Sequence, residues 1–143
     1  MSAGRIAGID FGERRIGLAL SDPLGIMAQP WETFPHRGAK TFQPLIEKLR
    51  SRDVTRIVVG LPKHMNGDEG EKALAARAFG ETLAAQSGLP VDFVDERLTT
   101  SAAQQALIAS NVPGAKKRAL VDQIAATLIL QTWMDLQKNK KRE

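Results

Sequence analysis

Cysteine is absent from the 143 residues, which excludes thiol catalysis, disulfides and Cys-ligated zinc. Tyrosine is absent too, and aromatic residues make up only 5% of the chain, so stacking on an aromatic platform is not expected to drive nucleic-acid binding. The two histidines, His36 and His64, are too few and too far apart in sequence to form a His-rich metal site alone. No apolar stretch approaches the roughly 18–20 residues that span a bilayer. The N-terminus leads directly into a strand-like run, not a signal sequence. The expectation is a soluble, cytoplasmic protein with no membrane partner. What is present suits a single domain: 143 residues is an ordinary domain length, and 43% hydrophobic residues can fill a core.

Charge is unevenly placed. The formal net charge is +4, but residues 1–115 carry 13 basic and 13 acidic side chains. The excess sits in residues 116–143, where Lys116, Lys117, Arg118, Lys138, Lys140, Lys141 and Arg142 face only Asp122, Asp135 and Glu143. A basic end points to a polyanionic partner. For residues 138–143 a solvated, solubilising tail is an equal alternative.

Periodicity orders the elements. Residues 5–11 are short, apolar and β-branched, and read as a strand; Gly12-Glu13-Arg14 is a turn; Arg15 to Ser21 is a second strand with Ile16, Leu18 and Leu20 on one face. Residues 26–34 read as a third strand in which Pro30 implies an edge position or an irregularity. Helical spacing follows in 40–51 (Phe42, Leu45, Ile46, Leu49), then a buried-type strand from Arg56 to Gly60, a helix over 69–86 stopped by Gly88, and a strand from Val91 to Asp95. A short helix over 100–109, with Ser101 and Gln104 as a capping box, and a break at 111–114 precede a last helix over 118–137, whose apolar stripe is Val121, Ile124, Leu128 and Ile129. The fold class is α/β: a mixed five-stranded sheet, three antiparallel strands then two parallel ones, with helices on both faces. Residues 1–137 form one domain and 138–143 a tail.

Three acidic positions stand out. Asp10 closes an apolar strand and shares a face with Ile6 and Gly8. A carboxylate there needs compensation, unless it merely caps the hairpin turn. Asp95 and Glu96 close the Val91 strand and point to opposite faces, so one of the two can join Asp10; a bulge would exchange them. Asp122 lies on the last helix with Ala125 and Ala126 at i+3 and i+4, small enough for close approach to the sheet; the alternative is an acid favoured by the helix dipole. Ligands of open α/β sheets gather at the carboxyl ends of parallel strands. Three carboxylates meeting there repel one another unless a hard cation sits among them, and oxygen-only ligation suits Mg²⁺ or Mn²⁺. Such a site suits phosphodiester hydrolysis.

Gly8-Ile9-Asp10-Phe11-Gly12, Arg15-Ile16-Gly17, Ser21-Asp22, Val59-Gly60-Leu61-Pro62-Lys63 with Met65-Asn66-Gly67, Asp95-Glu96-Arg97-Leu98-Thr99-Thr100, and Val121-Asp122 with Ala125-Ala126 and Leu130-Gln131 together resemble the YqgF family, also called RuvX, in order from about residue 5 to 136. The resemblance implies a ribonuclease H-like fold similar to that of Holliday junction resolvases, and a bacterial cytoplasmic endonuclease. Its substrate would be structured nucleic acid: the 5′ end of precursor 16S ribosomal RNA, or a four-way DNA junction. Carried over by position, the catalytic and metal-holding acids are Asp10, Glu96 and Asp122. Junction resolvases of this fold often place a second acid three residues further along the last helix; here that residue is Ala125, which leaves three ligands.

Lys63, Arg97, Lys116, Lys117 and Arg118 are candidate phosphate contacts, suited to positioning and not to sequence readout. His64 reads as an exposed loop residue, Thr99, Thr100 and Ser101 as helix caps, and Trp31 and Trp133 as core or interface residues. Junction resolution favours a homodimer, because a four-way junction is two-fold symmetric; a single-cut RNA enzyme can act as a monomer. Two other functions compete. One is a non-catalytic RNA- or ribosome-binding module that uses the basic end. The other is a nucleotide-binding ATPase, because Gly-Ile-Asp-Phe-Gly also resembles a phosphate loop of actin-like kinases; a chain of this length supplies one such domain where two are needed, and no P-loop pattern is present.

Overall fold

The computed structural model describes residues 4–99 and 114–142. Strands β1 (Arg5–Asp10), β2 (Arg15–Ser21) and β3 (Ala28–Pro35) form an antiparallel meander. Helix α1 (Phe42–Ser51) leads to β4 (Val54–Leu61), and α2 (Glu71–Ser87) to β5 (Val91–Asp95). The sheet order is β3-β2-β1-β4-β5, with β4 parallel to β1 and β5 parallel to β4. The long helix α3 (Gly114–Arg142) closes the molecule. The expected mixed five-stranded sheet is therefore present. The short helix expected over 100–109, its capping box, and Thr100 and Ser101 lie outside the described residues. Among the described residues, no helix is long and apolar enough to cross a membrane.

Period-2 alternation divides the side chains between two cores. On one face Ala7, Ile9, Ile16, Leu18, Leu20, Ile57, Val59 and Leu61 pack against Leu45, Ile46 and Leu49 of α1 and Ala76, Phe79 and Leu83 of α2. Each fully buried Leu or Ile there contributes about 1.5–3 kcal/mol of transfer free energy. On the other face Ala19, Val58 and Val94 pack against Ala126, Ile129, Leu130 and Met134 of α3. The buried stripe of α3 is thus rotated from the expected one: Ile129 belongs to it, but Val121, Ile124 and Leu128 are only half-buried. The cause is the sheet surface, which is bare at Gly8. A Cβ at Gly8 would stand 2.7 Å from the Ala126 carbonyl oxygen, so the helix backbone lies directly on the glycine.

Boundaries shift where tertiary contacts outrun local preference. β4 begins at Val54 and ends at Leu61, beyond the apolar run, because it pairs along both β1 and β5. α3 runs from Gly114 through Arg142 and does not stop near residue 137. β3 is the edge strand, and its register shifts between Leu18 and Ala19, which pair with Glu32 and Pro30; Pro30 thus marks both an edge and an irregularity. Gly88 ends α2 in the left-handed conformation (φ 74°), its N–H donating to the Ala84 carbonyl at 2.9 Å. Trp31 and Trp133 are half-buried against the two cores, each with a cationic side chain over its ring.

Candidate active site

The site forms where the parallel strands end. Asp10 is the last residue of β1 and pairs in register with Gly17 of β2, so both belong to the face covered by α3. Val94 on β5 packs on that same face. Glu96 follows two residues later, on the turn Glu96–Leu98. One strand, β4, separates β1 from β5, and neighbouring strands lie about 4.8 Å apart. The Glu96 side chain crosses that gap over Gly60: a Cβ at Gly60 would stand 2.6 Å from Glu96 Oε1. A bare glycine in β4 is therefore what lets a carboxylate from β5 reach Asp10.

Asp10 and Glu96 meet within hydrogen-bonding reach. Burial first, then repulsion from Glu96 and Asp122, and then the bond to Glu96 together push the Asp10 carboxyl up to about 8. Glu96 is also raised, first by burial; the bond with Asp10 works in the opposite direction. At neutral pH the pair thus holds a shared proton. Asp95 is excluded from this contact. It caps the Glu96–Leu98 turn by accepting from the Arg97 N–H at 2.9 Å, and the Arg97 guanidinium holds its carboxyl below the usual range.

Asp122 reaches the same cleft from α3. The approach is tight, because a Cβ at Gly17 would collide with the Asp122 backbone. Its carboxylate is taken by Arg15, whose Nε donates to Oδ2 at 2.7 Å. The cleft has a volume of about 560 Å³ and is lined by Asp10, Glu96 and Asp122 together with Glu13, Glu71, Arg14, Arg15 and Lys72. All three expected acids therefore line one cleft. They do not form a compact triad: among the described residues, no three His, Asp or Glu side chains stand close enough to hold one ion as a set. The donors fit a hard divalent cation in chemistry. They are all oxygen, and two of them repel each other in a site withdrawn from water.

The expected phosphate contacts are more dispersed. Lys63 lies 3.9 Å from Glu69 Oε2. Arg97 is exposed but bound to Asp95, and its Nη1 donates to the Met65 carbonyl at 3.1 Å. Lys116 and Arg118 are exposed and Lys117 half-exposed in the first turns of α3. None of these five is among the residues that line the cleft. The cations that do line it, Arg14, Arg15 and Lys72, were not singled out from the sequence. A signal for Arg15 existed: it precedes Gly17 by two on β2, so it shares the face that meets Asp122. His64 is exposed, as expected of a loop residue, and Thr99 donates its hydroxyl to the Glu96 carbonyl at 2.7 Å.

A family model described as "RuvX: Holliday junction resolvase" matches residues 4–136. A relative from Moorella thermoacetica is 48% identical over 132 residues, spanning 92% of this chain and 94% of that protein. Another from Pelotomaculum thermopropionicum is 43% identical over 141 residues, spanning 97% and 92%. Both carry the name "Putative pre-16S rRNA nuclease". Among solved structures, Thermus thermophilus RuvC in complex with a Holliday junction substrate superposes with a TM-score of 0.59 at 18% identity, covering 93% of this chain and 96% of that one. That likeness shows the ribonuclease H-like fold.

Proposed function

The chain belongs to the RuvX family, and from that premise we propose that it is a divalent-cation-dependent endonuclease cleaving phosphodiester bonds in structured nucleic acid. The observation that carries the proposal is the half-buried Asp10–Glu96 pair at the strand ends, with the Asp10 carboxyl pushed up to about 8. Such a pair is costly to fold and gains its use by ionising around a cation. Asp10 and Glu96 would hold Mg²⁺ or Mn²⁺, with Asp122 as the third oxygen donor. When bound, such a cation activates water and draws negative charge from the phosphate.

The protein's own side chains do the positioning. Five carboxyl groups line the cleft against three cations; even with one proton shared by Asp10 and Glu96 the balance is negative, and it repels a polyanion until a doubly charged ion offsets it. Arg14 on the β1–β2 turn, Arg15 at the start of β2 and Lys72 at the start of α2 would then contact phosphates beside the scissile bond. Lys116, Lys117 and Arg118, a turn or more before Asp122, extend this contact along the strand outside the cleft. Lys63 and Arg97 would join only by giving up their carboxylate partners.

The 5′ end of precursor 16S ribosomal RNA is the first candidate substrate, since relatives sharing 41–48% identity over nearly the whole chain carry that name. A four-way DNA junction is the second; two symmetric cuts in its four strands would require two copies of the chain. The test is cleavage of both substrates side by side, with and without Mn²⁺, by the unaltered chain, Asp10→Asn and Asp122→Asn. Cutting that needs Mn²⁺ and is lost in both variants is the expected result. Variants that cut like the unaltered chain would overturn the site. Salt-sensitive RNA binding with no cutting at all would favour a binding module.

A further inference from the structure

Arg15 holds the carboxylate that the cation site needs. It opens β2, and its Nε donates to Asp122 Oδ2 at 2.7 Å. Its side chain is 40% exposed and that of Asp122 19%. Among the described residues its Nη atoms have no acceptor, so one edge of the guanidinium is committed to Asp122 and the other faces the cleft. The backbone of α3 is fixed at this point, because Gly17 lies directly against Asp122. Asp122 can therefore change partner only by turning its side chain.

We propose that Arg15 is a latch on Asp122: a cation held by Asp10 and Glu96 draws Asp122 away from Arg15, and the freed guanidinium then binds a phosphate of the nucleic acid. This rests on the nuclease reading given above. The driving force is electrostatic. A guanidinium and a dication cannot share one small cleft without repulsion, and the carboxylate gains more from the doubly charged partner. Arg15 is suited to the second half of the exchange, because its planar fork takes two phosphate oxygens together. The ion pair is half-exposed, so it is weak enough to give way. Cation and nucleic acid then assist each other's binding by an equal factor, as linkage requires. Arg15 is on this account a positioning residue until it is released, and a phosphate-binding one afterwards.

The test measures binding, not cutting, on the full chain. Mn²⁺ affinity is read by electron paramagnetic resonance without nucleic acid, and affinity for a short four-way junction by fluorescence anisotropy in EDTA and in Ca²⁺. Arg15→Gln should tighten Mn²⁺ binding about two- to fivefold, the scale of one partly exposed ion pair, and weaken junction binding in Ca²⁺. Asp122→Asn breaks the latch from its other side. It should tighten junction binding in EDTA by a similar factor, and Arg15→Gln added to it should abolish that gain. Glu13→Gln, which removes one charge from the same rim, sets the purely electrostatic background. A folded Arg15→Gln that binds Mn²⁺ as the unaltered chain does, or more weakly, would overturn the latch while the nuclease reading stands. If the unaltered chain bound no Mn²⁺, the nuclease reading would fail and the latch with it.

Discussion

Asp10 is the residue on which the chemistry and the stability of the fold pull in opposite directions. Its carboxyl lies near 8 in the folded chain, against 3.8 for the free side chain. Between those values folding takes up a proton, so stability falls as pH rises from about 4 to 8. The slope is at most about 1.4 kcal/mol per pH unit, the value for a single proton. Thermal melts in EDTA should therefore show a falling Tm across this range, and Asp10→Asn should flatten the profile. A profile that rose, or that the variant left unchanged, would mean that the carboxyl is not buried against Glu96. Saturating Mn²⁺ reverses the demand, because it favours the ionised pair. At a hundredfold excess over Kd it should stabilise the chain by about 2.7 kcal/mol, and Asp10→Asn should remove that rise.

At the scale of elements, two glycines make the site by lacking a side chain, and they do so differently. Gly17 on β2 faces the backbone of α3 at Asp122, which cannot yield locally. Gly17→Ala should cost about 1–3 kcal/mol by overpacking, read as a fall in denaturant midpoint. Gly60 on β4 faces side chains and no backbone: Ile129 Cδ1, and Oε1 and Cγ of Glu96. Gly60→Ala should leave the midpoint near that of the unaltered chain but displace Glu96 from Asp10, so Mn²⁺ affinity falls. If both variants lost stability equally, or if Gly60→Ala left Mn²⁺ binding intact, the bridge from β5 to β1 over Gly60 would be wrong. Neither role was legible in the sequence. The alternation of β1 puts Gly8 on the face of Asp10, but which glycine meets which element depends on sheet register and on the path of α3.

At the scale of the whole molecule, the charge gradient along the chain becomes a geometry. The first turns of α3 carry Lys116, Lys117 and Arg118 towards the end of the sheet where Asp122 enters the cleft. Replacing all three by Gln should reduce the slope of log K for nucleic-acid binding against log salt by about 2–3, while leaving Mn²⁺ affinity nearly unchanged. An unchanged salt slope would show that the basic end lies off the path of the substrate.

The sequence by itself determined the order of elements, the two-faced sheet and the short list of acids, because period-2 and period-3.6 patterns and strand-end carboxylates are local signals. The choice between Asp95 and Glu96 stayed open in the sequence, because the phase is readable only once Val94 is seen to face α3. Only the tertiary structure decided which cations line the cleft, where α3 buries its stripe, and that Asp122 is bound to Arg15 and not gathered beside Asp10 and Glu96. These are contacts between residues far apart in sequence, 107 positions in the case of Arg15 and Asp122. They are fixed by how closely a helix can approach a sheet, which no periodicity within one segment can report.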